Sequence, residues 1–335
     1  MPRKKITDEE TEITEVQEQE TEQPEPLKNE RPGRAEPVLT IEAGDEIESA
    51  EYQEELIWHE IQNAYRTRKI LSGILSGLEK TESGGAVAVA DYNSMRVVIP
   101  VDETVTLENA GSSENSGDIV ERQSKIIGNM LGAEIDFIIK GIDNKTRSIV
   151  ASRKEAMLRK RQMFYFKSGN SKRPKIYANR VVQARVLAVA EKGLRVEVFG
   201  AECSVYSRNL SHEWIGDARD RYNIGDKILV KVTDITGDTA ADLSIKADIK
   251  GVLPDTTMED LKKCKLQGKY AGKVIDIYKG TVFIRLGVGV NAIAHSCHDE
   301  RMPGKKDDVS FVVTNIDEET RVAIGTITKI IRQNV

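Results

Sequence analysis

The sequence has 335 residues, of which 39% are hydrophobic and only 5% aromatic. A chain of this length is typical of two or three domains, and so few aromatic residues favour several small aliphatic cores over one large core. The net charge of −5 hides a segregation, since residues 1–50 contain 15 Asp or Glu against 6 Lys or Arg, which leaves the rest mildly basic and suited to a polyanion.

Cysteine usage and hydropathy indicate a cytoplasmic protein without a membrane partner. The three cysteines, Cys203, Cys264 and Cys297, are widely scattered and cannot all pair with one another. No apolar run approaches the roughly 20 residues of a membrane-spanning helix, and no signal peptide is recognisable.

The chain begins with a polar segment followed by a helical pattern. Residues 1–45 are rich in Glu, Gln, Thr and Pro, which predicts a disordered acidic tail that either solubilises the chain or competes with a polyanion for a basic groove. Residues 46–69 are predicted to form a helix that packs on the first ordered domain. Its expected apolar face consists of Leu56, Ile57, Ile61, Ala64 and Tyr65.

Beyond this helix, one cassette of turn, strand, hairpin turn and strand occurs three times. Its turn and first strand fall at residues 131–139, 224–232 and 307–313. The copies recur at intervals of roughly 80 to 90 residues, which indicates a repeated domain and not a solenoid of short units. Three further strand patterns precede the cassette, most clearly in the third copy.

Five strands with a long connection between the third and fourth predict a small Greek-key barrel of the OB type. The expected fold class is therefore mainly β, with three tandem five-stranded OB barrels, an N-terminal helix and a disordered tail. The expected barrels span residues 70–158, 179–250 and 265–333, with a basic and aromatic linker at residues 159–178.

The repeats resemble the RNA-binding domain of bacterial ribosomal protein S1. The resemblance rests on a Gly-x-x-Phe-Val-like second strand at 280–286, His295 after the third strand, a Gly-Asp turn at Gly225, a Leu-Ser-x-Lys ending at 243–246 and a Ser-Arg-Lys-x-Ala ending at 152–156. It implies single-stranded RNA binding, with mRNA at or near the ribosome in translation as the expected target. Terminal barrels of the resembled family can dock a protein partner, so the first barrel is expected either to dock the small ribosomal subunit or only to anchor the N-terminal helix.

The third copy offers the clearest candidate RNA surface. Strand alternation places Phe283 and Arg285 on one face, where His295 can join them, and a flat ring beside cations suits base stacking and phosphate contact. A register shifted by one residue would instead bury Phe283. Tyr278, Lys279 and Lys273 extend this surface, and the resemblance places Asp317 and Arg321 at its edge, where Asp317 either contacts RNA or only shapes the turn.

The other two copies differ from the third. In the second, Lys192 and Arg195 replace the aromatic side and Tyr206 takes the His position, so binding by charge is expected. The first lacks a second-strand aromatic and has Pro100 at the His position, although the resemblance assigns Arg153 and Lys154 to the RNA surface. The linker interleaves cations with aromatic residues and either binds a nucleic-acid strand or covers a barrel.

No catalytic motif stands out, so an enzyme is not expected, and neither is a cofactor. The sequence lacks a phosphate-binding Gly-Lys-Ser/Thr loop, a dinucleotide fingerprint and a Gly-x-Ser-x-Gly elbow. The cluster around His295 and His298 is too small to predict a structural metal site. The alternative to an RNA-binding protein is an interaction scaffold, or an accessory in RNA turnover or regulation, with degenerate barrels.

Overall fold

The computed structural model describes residues 50–81, 85–105, 116–166 and 173–334. The predicted acidic tail at 1–45 and residues 167–172 of the predicted linker lie outside the described residues, as do residues 106–115 between the third and fourth strands of the first barrel. The described part is mainly β, with three five-stranded barrels behind an N-terminal helix, which confirms the predicted fold class.

The N-terminal helix α1 packs on the first barrel. It spans Ala50–Thr67, and its side chains Trp58, Ile61 and Ala64 lie in the same apolar cluster as the barrel core. The predicted face was partly wrong, because Leu56 and Tyr65 are exposed while Trp58 is buried. The buried stripe is rotated relative to the one that spacing alone suggested.

The first barrel is closed and contains a helical insertion. Its strands are β1 (Ile70–Lys80), β2 (Ala86–Tyr92), β3 (Met95–Pro100), β4 (Glu134–Asp143) and β5 (Ser148–Ser152). Their order is β1-β2-β3-β5-β4, with β3 and β5 paired in parallel. Helices α2 (Val101–Thr104) and α3 (Ser116–Gly128) lie between β3 and β4.

The last strand of the first barrel leads directly into helix α4, Arg153–Tyr165. Ser152 caps this helix, since its hydroxyl accepts a hydrogen bond from the Glu155 amide at 3.1 Å. The helix therefore extends from the predicted end of the first barrel into residues 159–165 of the segment that the sequence suggested was a linker. It packs closely on the second barrel at Gly200, where an added Cβ would lie 2.5 Å from the Met157 carbonyl oxygen.

The second barrel follows the same plan but is less completely closed. Its strands are β6 (Val181–Ala190), β7 (Gly193–Val198), β8 (Ala201–Tyr206), β9 (Lys227–Thr236) and β10 (Ser244–Asp248). Their order is β10-β9-β6-β7-β8, an open sheet, so the parallel pairing that closes the first barrel does not join β8 to β10 over these described strands. Leu194, Val196 and Val230 are among its core residues.

The third barrel is closed like the first. A short helix α5 (Thr257–Leu261) precedes it, and its strands are β11 (Lys269–Tyr278), β12 (Thr281–Leu286), β13 (Asn291–Cys297), β14 (Asp308–Asp317) and β15 (Val322–Arg332). Their order is β11-β12-β13-β15-β14, with β13 and β15 parallel. The core centres on Phe311 and Ile284, both fully buried.

The cassette turn has the same geometry in all three barrels. Gly132, Gly225 and Lys306 occupy equivalent positions, with φ values of 87°, 89° and 69° in the left-handed region. Each donates its amide to a carbonyl of its barrel's first strand, at Leu75, Val186 and Val274 respectively. Glycine adopts this conformation at little cost, which explains the Gly in the first two copies, whereas the third copy places a lysine there.

Candidate nucleic-acid interface

A groove on the second barrel combines cations from two parts of the chain. Strand alternation buries Leu194 and Val196 of β7 and turns Arg195 outward, opposite Ser204 of β8. Helix α4 lies across from this face and contributes Lys154 and Arg161. Together they line a cavity of about 470 Å³, which is large enough for an unstacked nucleotide and too small for a duplex.

The groove carries more positive than negative charge. Arg195 donates to Glu202 at 2.7 Å, which neutralises one cation. Arg161 instead donates to the main-chain carbonyls of Gly200, at 2.6 Å, and Ala240, at 3.2 Å, so no carboxylate balances its charge there. Lys154 is exposed and forms no ion pair with any residue that the structure describes. The cavity therefore suits an anionic ligand.

Arg153 does not belong to this surface, although the sequence suggested that it did. Its side chain is 0% exposed and bridges Glu197 at 3.2 Å and Glu202 at 2.7 Å, while it also donates to the Thr104 carbonyl. An arginine without exposed surface has no donor to offer a phosphate. Arg153 joins the first barrel to the outer face of the second, and RNA contact by this residue is not proposed.

The buried carboxylates around Arg153 respond differently to their surroundings. Burial raises the pKa of Glu197 and outweighs the nearby Arg153. Burial also acts on Glu202, but Arg153 and Arg195 together outweigh it and lower the pKa of that carboxyl. Glu202 is thus an ionised link between the buried Arg153 and the groove residue Arg195.

The other predicted residues of the second barrel lie farther along the same strands. Tyr206 is exposed at the end of β8, paired in register with Gly193. Lys192 is exposed in the turn that precedes β7. With Arg195, these two residues extend the groove face toward one edge of the barrel.

The third barrel shows the predicted alternation. Strand β12 buries Val282, Ile284 and Leu286 and leaves Phe283 and Arg285 half-buried on the outside. The structure thus excludes the shifted register that would put Phe283 in the core. Phe283 is not free, however, because the Trp214 ring of the second barrel packs on it with centroids 5.2 Å apart and an interplanar angle of 75°.

Arg285 also already has partners. Its guanidinium donates to Glu213 of the second barrel at 2.7 Å and to Asn291 at 3.1 Å. The segment 211–216 that carries Glu213 and Trp214 is hydrogen-bonded to this face through Asn291, whose amide group donates to the His212 carbonyl at 3.3 Å. Part of the predicted RNA surface is therefore an inter-barrel contact.

The remaining predicted residues of the third barrel are more open. His295 is exposed, with its Nδ1 3.4 Å from the Thr281 hydroxyl. Tyr278 is exposed, and the Lys279 ammonium lies 5.3 Å from its ring centroid in a cation–π contact. Lys273 is exposed beside a second cavity of about 360 Å³ at the junction with the second barrel.

The two residues at the last hairpin have local roles. Asp317 accepts hydrogen bonds from the amides of Glu319 and Thr320, at 3.0 and 3.1 Å, and so shapes the turn. Arg321 forms an ion pair with Asp255 of the connection between the barrels and donates to the Thr257 hydroxyl at 3.1 Å. Arg321 therefore anchors the connection between the second and third barrels.

The sequence interpretation missed Trp214 and left Arg161 in a linker that either binds a nucleic-acid strand or covers a barrel. Arg161 was assigned to a linker, and only the helical structure of α4 brings it to the groove. Trp214 lies after the third strand of its barrel, where no periodicity marks it. Its position in a polar segment, where an exposed indole is unusual, was the one available signal.

The described ranges contain neither a cluster of metal-ligating side chains nor a membrane-spanning helix. There, no group of three or more His, Cys, Asp or Glu side chains is placed to hold a metal ion. The three cysteines are free, and burial raises the pKa of Cys203 to about 12. None of the described helices has the length and apolar character needed to cross a membrane.

Comparison with known proteins identifies an RNA-binding domain family. Residues 175–246, which cover the second barrel as far as the middle of β10, match the family described as the S1 RNA binding domain. The small ribosomal subunit protein bS1 of Staphylococcus haemolyticus is 27% identical over 151 residues, covering 42% of this chain and 38% of that protein. The bS1 of Helicobacter pylori strain 26695 is 24% identical over 254 residues, covering 76% and 40%. The chain thus spans well under half the length of these relatives.

Solved structures show weaker similarity. The complex of a/eIF2alpha, aDim2p and rRNA from Pyrococcus horikoshii gives 18% identity and a TM-score of 0.21, covering 26% of this chain and 56% of that one. A multidomain protein with nucleic acid binding domains from Streptococcus pneumoniae gives 10% identity and a TM-score of 0.19, covering 78% and 73%. The similarity to the S1 RNA binding domain rests on the sequence match over residues 175–246.

Proposed function

We propose that this S1-like chain binds single-stranded RNA without catalysing a reaction, and that the groove of the second barrel is the principal site. The observation that supports this most is the 470 Å³ cavity in which Lys154, Arg161 and Arg195 face an otherwise open strand surface. The barrel that forms it is the one that matches the S1 RNA binding domain. The groove geometry favours one strand, since only an unpaired nucleotide can enter it.

Each side chain has a defined task in this proposal. Lys154 and Arg161 contact phosphates from the α4 side, and Arg195, held by Glu202, contacts them from the barrel side. Tyr206 and Lys192 bind the next nucleotides along the face, because an exposed aromatic ring stacks on any base. Tyr278, Lys279, His295 and Lys273 extend the path onto the third barrel, and Phe283, Arg285, Asp317 and Arg321 complete that second surface.

The proposed target is mRNA at or near the small ribosomal subunit, in the cytoplasm, during translation. The relatives named as small ribosomal subunit proteins support this target. The first barrel, in which the β2 aromatic Tyr92 packs on Phe137 and Pro100 ends β3, is proposed to dock the subunit and not RNA. Co-sedimentation of the full chain with purified small subunits tests this part, and a chain that stays in the supernatant contradicts it.

Polarisation titration with a labelled single-stranded RNA tests the central proposal. We expect binding that weakens as salt rises, because cations displace the counterions of the phosphates. Unlabelled single-stranded RNA should compete better than a duplex of the same sequence, and single-stranded DNA measures the role of the 2′-hydroxyl. A matched control is Arg219→Ala, which removes an exposed cation outside the groove. No binding at low salt would contradict the proposal and favour a protein-interaction scaffold.

A further inference from the structure

The third barrel's candidate RNA face is already occupied by side chains from elsewhere in this chain. Residues 211–216, between β8 and β9 of the second barrel, lie against its outer strands. Asn291 of β13 fixes one end of this segment through the His212 carbonyl. At the other end Gly216 lies so close to β11 that an added Cβ would be 2.5 Å from the Ile275 carbonyl oxygen.

The chemistry of each contact matches what RNA would offer. A base would stack on the ring of Phe283, and the Trp214 indole contacts that ring. A phosphate would bind the guanidinium of Arg285, and the Glu213 carboxylate binds it at 2.7 Å. The carboxylate of Glu213 and the ring of the next residue, Trp214, together resemble a nucleotide in both shape and charge.

The second arginine of this face, Arg321, is also paired with an anion. Asp255, in the connection that precedes α5, forms an ion pair with Arg321. Hydrogen bonds from Thr257 and Arg321 hold the pKa of Asp255 well below its usual range, and Arg221, with Arg285, does the same for the pKa of Glu213. Both arginines proposed for phosphate contact on the third barrel thus face carboxylates that are ionised at neutral pH.

We propose that Glu213, Trp214 and Asp255 act as an internal ligand that covers the third barrel, so that RNA reaches Phe283, Arg285 and Arg321 only by displacing them. This inference rests on the proposed function. The second-barrel groove, which these residues do not line, stays open and binds first. RNA held there has a high local concentration at the third barrel, and this favours displacement.

The cost of the cover is a reduced apparent affinity. A site that is open in only a fraction of molecules binds with its intrinsic affinity multiplied by that fraction, so a face covered ten times as often as it is open binds about tenfold more weakly. The contacts are half-exposed and so remain displaceable: Arg321 and Asp255 are 43% and 38% exposed. The covered state therefore limits RNA binding without abolishing it.

Removal of the cover provides the test. RNA of about 20 nucleotides, long enough to span two barrels, is titrated against the full chain and its Glu213→Ala and Trp214→Ala variants. We expect each variant to bind roughly three- to tenfold more tightly than the wild type. Asp220→Asn is the matched control, because it removes the 3.0 Å ion pair to Lys306 at the same junction but leaves the face covered. Its affinity should equal that of the wild type.

A double variant separates uncovering from general loosening. Phe283→Ala should cancel most of the gain of Trp214→Ala, since the uncovered ring is then absent. Unchanged or weaker binding by both cover variants would overturn the proposal, and weaker binding by Trp214→Ala would make Trp214 an RNA contact itself. Thermal melts establish that each variant is folded, and Glu213→Ala keeps the test valid if loss of the indole prevents folding.

Trp214 also reports on its own displacement. The chain has two tryptophans, and the other, Trp58, is buried, so Trp58→Phe leaves a single reporter. Emission of Trp214 should shift to the red on RNA addition as the ring enters solvent, and a static spectrum at saturating RNA would contradict the displacement. Failure of every form to bind RNA would instead refute the proposed function, which makes the two failures distinguishable.

Discussion

Lys154 offers a direct test of the groove, because its ammonium group is exposed and free of ion pairs among the described residues. A phosphate contact on single-stranded nucleic acid contributes about −0.7 to the slope of log K against log salt. Lys154→Gln should therefore make that slope less steep by about 0.7. Extrapolated from 1 M to 0.15 M salt, a slope difference of about 0.7 corresponds to binding that is roughly fourfold weaker.

The assay is polarisation titration at four or five salt concentrations, with Kd plotted logarithmically. Lys154→Arg should restore the slope, since it keeps the charge at the same position. Lys69→Gln is the control, because Lys69 is also an exposed lysine, lies outside the groove and pairs with Glu60 of helix α1. An unchanged slope for Lys154→Gln, or an equal change for Lys69→Gln, would refute the assignment of the groove.

Three further predictions concern the junction between the first two barrels. Arg153→Ala leaves the buried Glu197 without its Arg153 ion pair, while Glu202 keeps its ion pair with Arg195. It should cost roughly 3–5 kcal/mol in urea unfolding, whereas a loss under 1 kcal/mol would contradict the structural role. Burial acts against ionised Asp136, but neighbouring cations outweigh it and lower its pKa. The contribution of Asp136 to folding stability is therefore complete above about pH 4 and is lost as pH falls. Asp136→Asn should flatten the curve of stability against pH below about pH 5, and an unaltered curve refutes this. Gly200→Ala places a Cβ 2.5 Å from a helix carbonyl at a φ of 88°, so a loss of about 1–3 kcal/mol is expected in the same assay, and no loss would show that the helix shifts freely.

The repeated β architecture could be predicted from the sequence because turns and strands leave patterns among residues close together in the chain. The cassette turns place a glycine at the left-handed positions Gly132 and Gly225, and strand alternation alone gave the correct facing of Phe283 and Arg285. Lys306 could be placed only by alignment with the other copies, since lysine does not mark a left-handed position.

The features that the sequence did not reveal depend on how the barrels pack together. Helix α4 has no clear apolar stripe that would predict where it packs. The buried Arg153 and the close contact with Gly200 hold it in place instead. Arg153 looked like a surface cation, and only the partner carboxylates on another barrel make its burial tolerable. The cover of Phe283 by Trp214 joins residues nearly seventy positions apart, for which a single sequence offers no signal.

One wall of the second-barrel groove is formed by helix α4, which lies outside the second barrel. The family match begins at residue 175, whereas Lys154 and Arg161 lie on a helix that starts where the first barrel ends. A fragment trimmed to the recognised domain would keep Arg195 but lose the opposite wall and the cations on it. The proposed binding site is therefore shared by two adjacent barrels, and any rearrangement of domains that separates these barrels would divide the proposed site.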